Sequence, residues 1–266
     1  MRQVRSVLGF VVAASLALGC SVYDDSLLDD GDEPDGSSGG GTGTGGQGLG
    51  GDGSGGGGGT GGGQGTGGLG GASNETYQLI DDMEDGNVQV RFIDGRTGGW
   101  DVAHDSASAG TQVPAQGFSS FDADSGAPDS NYAAHTQGTD LAWASLNVSM
   151  KTAAAEYDAS AFQGLRFRAK ASAASVKTVL VRVVTADTDP AGGVCGGANP
   201  ACFDHFSTEV QLTTDWATHS IYFEDFAQQS PVYESVNLAK MYYFQFYFSS
   251  PAEFELWVDD IEFIEN

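Results

Sequence analysis

The side chains best suited to chemistry lie on alternating stretches. Tyr243, Gln245 and Tyr247 are spaced two apart within residues 241–248. That is the period of a strand, and the interleaved Tyr242, Phe244, Phe246 and Phe248 form an apolar face for a core. Arg166 and Arg168 alternate in the same way with Leu165, Phe167 and Ala169, and Arg182 stands between Val181 and Val183. An outward face of tyrosine, arginine and glutamine differs from an ordinary solvated face of Lys, Glu and Thr. Rings with convergent forked donors suit neutral sugars, whose C–H faces stack on aromatics while the hydroxyls take directional hydrogen bonds. His205 and Trp143 complete the set as rim candidates. The grouping requires the strands that carry Arg166, Arg168 and Arg182 to share a sheet with residues 241–248. In the competing reading the tyrosines cover the sheet beneath a long loop, and the arginines pair with surplus carboxylates.

A second constellation is acidic. Residues 78–85 read QLIDDMED and residues 253–263 read EFELWVDDIEF. Both run apolar residues into adjacent carboxylates, and the second alternates with the period of a strand. If the first and last strands of a β domain lie side by side, Asp81, Asp82, Glu84, Asp85, Asp259 and Asp260 meet near one edge. These are hard oxygen donors of the kind Ca2+ takes, and like charges packed together are costly without a cation. No EF-hand loop is present, so ligation needs strand-end carboxylates and carbonyls from a loop such as residues 101–105. The alternative is a solvated acidic edge.

Catalysis is not expected. The carboxylates that can be placed cluster at the terminal strands and do not face each other across a cleft, as a glycosidase requires. A Ser-His-Asp site would have to recruit His104, His135, His205 or His219. Residues 75–266 contain no G-x-S-x-G elbow, H-E-x-x-H helix, P-loop or dinucleotide fingerprint.

The elements that must position these groups are short strands. Strand-like runs recur at 77–80, 88–92, 118–121, 141–150, 164–170, 176–184, 206–212, 218–223, 239–248 and 253–263. Turn-rich segments separate them, a single helical turn is expected at 157–162, and a loop at 226–233. Many short strands with little helical periodicity indicate an all-β sandwich or barrel of about 190 residues. This part holds 28 acidic against 9 basic residues, and the whole chain carries a formal charge of −25. Such a surface repels phosphate backbones, which argues against a nucleic-acid partner.

The first residues have a different task. Arg2 and Arg5 precede an apolar run over 7–18 and Gly19-Cys20, the layout of an export signal at 1–19. The run is too short to span a bilayer. Residues 20–74 are acidic and then glycine-rich. From 39 to 71, 23 of 33 residues are glycine without a collagen period, which makes a flexible tether. A coil of roughly 50 residues spans about 40 Å end to end. Cys195 and Cys202, seven apart in an exported domain, are expected to form a local disulfide. A zinc site would have only His205 nearby.

Residues 16–20, LALGC, resemble the lipobox of bacterial lipoproteins. That resemblance makes Cys20 the lipidated first residue, with a membrane contact through the anchor alone and a location at the outer membrane or cell surface. Further along stand LIDDMED at 79–85, Gly98-Gly99-Trp100, and YDASAFQGLRF at 157–167. Trp216, IYFEDF at 221–226 and LWVDDI at 256–261 follow. In this order they resemble the galactose-binding-like jelly-roll modules found among non-catalytic carbohydrate-binding modules of bacterial glucanases. The segment 195–206 is similar to a variant in lipoproteins of myxobacteria-like organisms.

The resemblance implies a two-sheet antiparallel β-sandwich over 75–266. It implies a structural Ca2+ held by Asp82 or Glu84 with Asp259 or Asp260. It also implies a polysaccharide or glycan ligand on a sheet lined by Arg166, Arg168, Tyr243, Gln245 and Tyr247, to which Arg182 and His205 are added. No attached catalytic domain is expected, which leaves glycan capture, adhesion or a structural envelope role. An envelope protein as partner of a structural or adhesive lipoprotein is the alternative.

Overall fold

The computed structural model describes residues 75–117, 120–121, 125–152, 155–196 and 202–266. The export signal, Cys20 and the tether lie outside the described residues.

Among the described residues, twelve strands form two antiparallel sheets. They are β1 (Tyr77–Asp81), β2 (Trp100–His104), β3 (Thr111–Val113), β4 (Ser120–Phe121), β5 (Ala134–Thr139) and β6 (Trp143–Ser149), followed by β7 (Phe162–Ala171), β8 (Thr178–Thr185), β9 (Phe206–Gln211), β10 (Ala217–Tyr222), β11 (Met241–Ser249) and β12 (Glu253–Glu265). The larger sheet runs β10-β7-β12-β5-β3, with β1 also on β12 and β4 on β5. The smaller runs β2-β6-β11-β8-β9. The first strand pairs with the last, as their shared pattern predicts: Tyr77 faces Ile264 and Asp81 faces Ile261.

Alternation explains the layering. On β11, Phe244, Phe246 and Phe248 point between the sheets and are fully buried, as are Phe167 of β7 and Phe263 of β12. Phe167 meets Phe246 edge-on at 5.1 Å, and Phe244 meets Phe263 at 5.8 Å, so these rings join the two sheets. Each buried ring contributes about 2–3 kcal/mol of hydrophobic stabilisation.

Three expectations change. Residues 88–92 are not a strand: Gln89 makes only an isolated bridge to Gly99. The chain then turns through Asp94 and Gly95, both at positive φ, and leaves Phe92 68% exposed. Residues 157–162 hold no helical turn, because Tyr157 exchanges backbone hydrogen bonds with Met241 and is drawn to the end of β11. Strands β2, β3 and β5 were not anticipated. On β5 the inward positions are Ala134, Thr136 and Gly138, too small and polar to announce a core face. The bulk they lack comes from Phe254 of β12, whose ring would stand 2.6 Å from a Cβ at Gly138.

Cys195 and Cys202 form the expected disulfide, with Cα atoms 5.2 Å apart.

Candidate functional site

The outward residues of the smaller sheet line a cleft of about 420 Å3. Its floor follows from the β11 alternation: with the phenylalanines committed to the core, Tyr243, Gln245 and Tyr247 must face out. On one side β6 supplies Trp143 and Asn147. The Trp143 and Tyr247 rings stack, with centres 6.3 Å apart and planes 17° from parallel. On the other side β8 places Arg182 directly opposite Gln245. The Arg182 guanidinium lies 3.4 Å above the Tyr247 ring centre, and its Nη1 donates to Gln245 Oε1 at 3.3 Å. Burial pulls the Arg182 pKa down while Tyr247 pulls it back up. The guanidinium is charged but poorly hydrated, a state in which stacking and hydrogen bonds count for more.

The wall comes from the chain between β8 and β9. Asp189 Oδ1 accepts from Ala191 N at 2.8 Å, which caps a short turn, and Oδ2 accepts from the Tyr243 hydroxyl at 3.3 Å. Burial and then the charge of Asp189 push the Tyr243 pKa up, so this phenol remains a donor. Thr188 holds the segment beyond: its carbonyl accepts from Phe203 N, and its hydroxyl meets His205 Nδ1 at 2.9 Å. His205 is pushed down to about 4, by burial first and by Arg182 second, and is therefore neutral at pH 7. Phe203, beside the disulfide, is 70% exposed at the rim. Next to it a smaller hollow of about 230 Å3 shares Arg182, Phe203 and His205 and continues to Asp204 and Ser207.

Of the residues singled out in the sequence, Arg182, His205, Tyr243, Gln245, Tyr247 and Trp143 come together here. Arg166 and Arg168 do not. Strand β7 pairs with β10 and β12, so these side chains belong to the opposite sheet. Arg166 pairs with Glu262 at 2.9 Å and lies 4.4 Å from the centre of the Tyr77 ring. Arg168 pairs with Asp260 at 3.1 Å and donates to Pro128 O at 2.9 Å. For these two, pairing with surplus carboxylates is what the structure has.

Sequence reasoning missed Asn147, Asp189 and Phe203. Asn147 was within reach, because it alternates with the buried Leu146 and Val148 just as Gln245 does with its phenylalanines. Asp189 and Phe203 sit on irregular chain, where no period marks a face.

The acidic end is assembled around residues 127–132. Glu84 Oε1 accepts from Ser130 Oγ at 2.8 Å, Asn131 N at 2.7 Å and Tyr132 N at 3.1 Å, and Asn131 Nδ2 donates to Oε2. These bonds hold Glu84 down at about 2. Asp259, fully buried, accepts from Ala127 N at 2.7 Å; burial raises its pKa, while Ala127 N and the Ser130 hydroxyl lower it. Asp260 turns to Arg168 instead, and Asp82 accepts from Glu84 N. Asp81 is withdrawn into the core, where it accepts from Met83 N and Trp100 Nε1 and is raised to about 7, chiefly by burial. Residues 101–105, expected to lend carbonyls, belong almost wholly to β2 on the other sheet.

Among the described residues, no group of three or more His, Cys, Asp or Glu is arranged to hold a metal ion. Yet the Ser130 hydroxyl, with one hydrogen, lies against three acceptors: Glu84 Oε1, Tyr132 O at 3.0 Å and the Asp259 carboxylate. It can satisfy only one of them. This all-oxygen set fits a hard cation in its chemistry, resting on two carboxylates rather than four.

No family model matches the chain, and no curated protein matches it in sequence. Solved structures do. A family 11 carbohydrate-binding module from Clostridium thermocellum, in complex with a β-1,3-1,4-mixed-linked tetrasaccharide, superposes with a TM-score of 0.51 at 13% identity. The match covers 73% of this chain and 98% of that one. The family 11 module of the cellulosomal cellulase Lic26A-Cel5E of the same organism gives 0.49 at 15% identity, over 73% and 97%. A family 30 module of its cellulase Cel9D-Cel44B gives 0.48 at 12%, over 63% and 91%. At such identities the first of these speaks for the fold, an antiparallel jelly-roll β-sandwich.

Proposed function

We propose that this β-sandwich is a non-catalytic carbohydrate-binding module whose site is the cleft on the smaller sheet. The observation that carries the reading is the convergence of Trp143, Tyr247 and Phe203 with Arg182, Gln245 and Asn147 around one hollow of about 420 Å3. Exposed ring surface beside fixed, directional donors and acceptors is what a neutral sugar ring requires. The fold shared with the family 11 module supports it.

Two features of the proposal rest on sequence and donor chemistry. A Ca2+ held by Glu84 and Asp259, with the Tyr132 carbonyl and Ser130 hydroxyl, would neutralise two carboxylates and fasten residues 127–132 to β12. An exported chain lipidated at Cys20, with a glycine-rich spacer, would carry the module at the outer membrane or cell surface.

The test is calorimetric titration of the full chain against β-glucans, xylan, galactomannan and envelope polysaccharide, with Ca2+ and again with chelator. Saturable binding that is lost in Tyr247→Ala, with the melting transition retained, is the expected result. No binding to any of these glycans would overturn the reading and leave an envelope protein as the partner to seek.

A further inference from the structure

Across the smaller sheet, one residue from each of its five strands lies in register, and the middle three line the cleft. Asp101 of β2 faces Asn147 of β6, Asn147 faces Gln245 of β11, Gln245 faces Arg182 of β8, and Arg182 faces Ser207 of β9. The first four are joined side chain to side chain. Arg182 Nη1 donates to Gln245 Oε1 at 3.3 Å, Gln245 Nε2 donates to Asn147 Oδ1 at 3.2 Å, and Asn147 Nδ2 donates to Asp101 Oδ1 at 2.6 Å.

This row has a direction, and its ends dictate it. A guanidinium only donates, and Asp101 Oδ1 accepts from Asn147 Nδ2, a bond that offsets part of the upward push that burial gives the Asp101 pKa. Between such ends each amide has one orientation that avoids setting donor against donor or acceptor against acceptor. If Gln245 turned over, its N–H groups would face Arg182; if Asn147 turned over, its oxygen would face Asp101. Asn147 and Gln245 are only 6% and 8% exposed, so water does little to relieve a mismatch.

We propose that Asp101, on the edge strand β2, is a positioning residue for the cleft. It fixes how the Asn147 amide points and, through the Gln245 Nε2 to Asn147 Oδ1 bond, reinforces the Gln245 orientation that Arg182 and the Ser145 hydroxyl also hold. In this way it sets which donors and acceptors the floor offers a ligand. With the row set this way, both amide oxygens keep a lone pair and Asn147 keeps one N–H, beside a single guanidinium. Hydroxyls that donate and accept at the same place match this pattern. A carboxylated sugar would meet two amide oxygens for one cation. Neutral glycans are therefore favoured over acidic ones, a consequence that rests on the glycan-binding reading; the row itself does not.

The experiment is side-chain amide NMR on 15N-labelled full chain, following the NH2 signals of Asn147 and Gln245 in wild type, Asp101→Ala and Asp101→Asn. The asparagine variant retains an accepting oxygen and should keep the wild-type pattern. The alanine variant should displace both pairs of signals, including those of Gln245 two strands away. It should also bind a mixed-linkage β-glucan tetrasaccharide about tenfold more weakly, whereas the asparagine variant should not. Gln245 signals that stay in place in the alanine variant, or an asparagine variant as disturbed as the alanine one, would overturn the proposal. A wild type that binds no glycan would sink the glycan reading, and the NMR comparison would still decide the row.

Discussion

The Arg182 guanidinium carbon lies 3.4 Å from the centre of the Tyr247 ring, and one of its forked nitrogens reaches Gln245. The contact combines a cation on a ring face with a planar donor that the ring holds in place. Lysine can do only the first. Arg182→Lys is expected to weaken glucan binding about tenfold or more while moving the melting temperature by only a few degrees. Titration beside a thermal melt checks this; unchanged affinity would remove Arg182 from the site.

His205 makes stability fall on acidification. Its folded pKa, about 4, lies below the ordinary 6.5, so the unfolded chain binds the extra proton first. The benefit of keeping His205 neutral is therefore complete above about pH 6.5 and is lost as pH falls toward 4, with a limiting slope of about 1.4 kcal/mol per pH unit. Asp81 titrates in the opposite sense: its raised folded pKa favours the acidic side and fades as pH rises through about 7. The wild-type curve mixes the two, so the informative quantity is the difference between wild type and His205→Asn in urea melts from pH 4.5 to 7.5. That difference should be level above about pH 6.5 and shrink as pH falls below it; a difference independent of pH throughout would mean that His205 titrates normally.

How far the sequence could be read depended on whether a face announced itself by side-chain size. The β11 run of phenylalanines declared both its core face and, by elimination, Tyr243, Gln245 and Tyr247. The pairing of β1 with β12 was legible because both run apolar residues into adjacent carboxylates. Sheet membership was not legible. Arg166 and Arg182 sit on strands of the same pattern, and only the strand order separates them, with β7 beside β12 and β8 beside β11. Irregular chain was silent too: Phe203 reaches the rim through a left-handed backbone turn beside a disulfide, and neither leaves a period.

Glu84 and Asp259 give the calcium proposal a sharp test. If a cation sits among Glu84, Asp259, Tyr132 O and Ser130 Oγ, Ca2+ should raise the melting temperature and a chelator should lower it. At a hundredfold excess over Kd the stabilisation is about 2.7 kcal/mol, worth several degrees in a domain of this size. Glu84→Gln should abolish the response, while Asp82→Asn should leave it intact. A melt indifferent to Ca2+ in the wild type would make the end an acidic cluster satisfied by its own hydrogen bonds.

Gly138 on β5 tests whether the inconspicuous strand is held as described. A Cβ there would lie 2.4 Å from Thr111 O of β3 and 2.6 Å from the Phe254 ring of β12. One obstacle is a side chain that can be trimmed; the other is the backbone of the neighbouring strand. Gly138→Ala should therefore cost about 1–3 kcal/mol, the range for overpacking a filled core. Trimming the ring with Phe254→Leu in the same chain should not restore stability, because Thr111 O remains in the way and a buried ring has been lost besides. Urea denaturation of the two single variants and the double variant decides it. Full rescue in the double variant would mean that β3 is free to move away from β5, and that the edge of the larger sheet is softer than its pairing suggests.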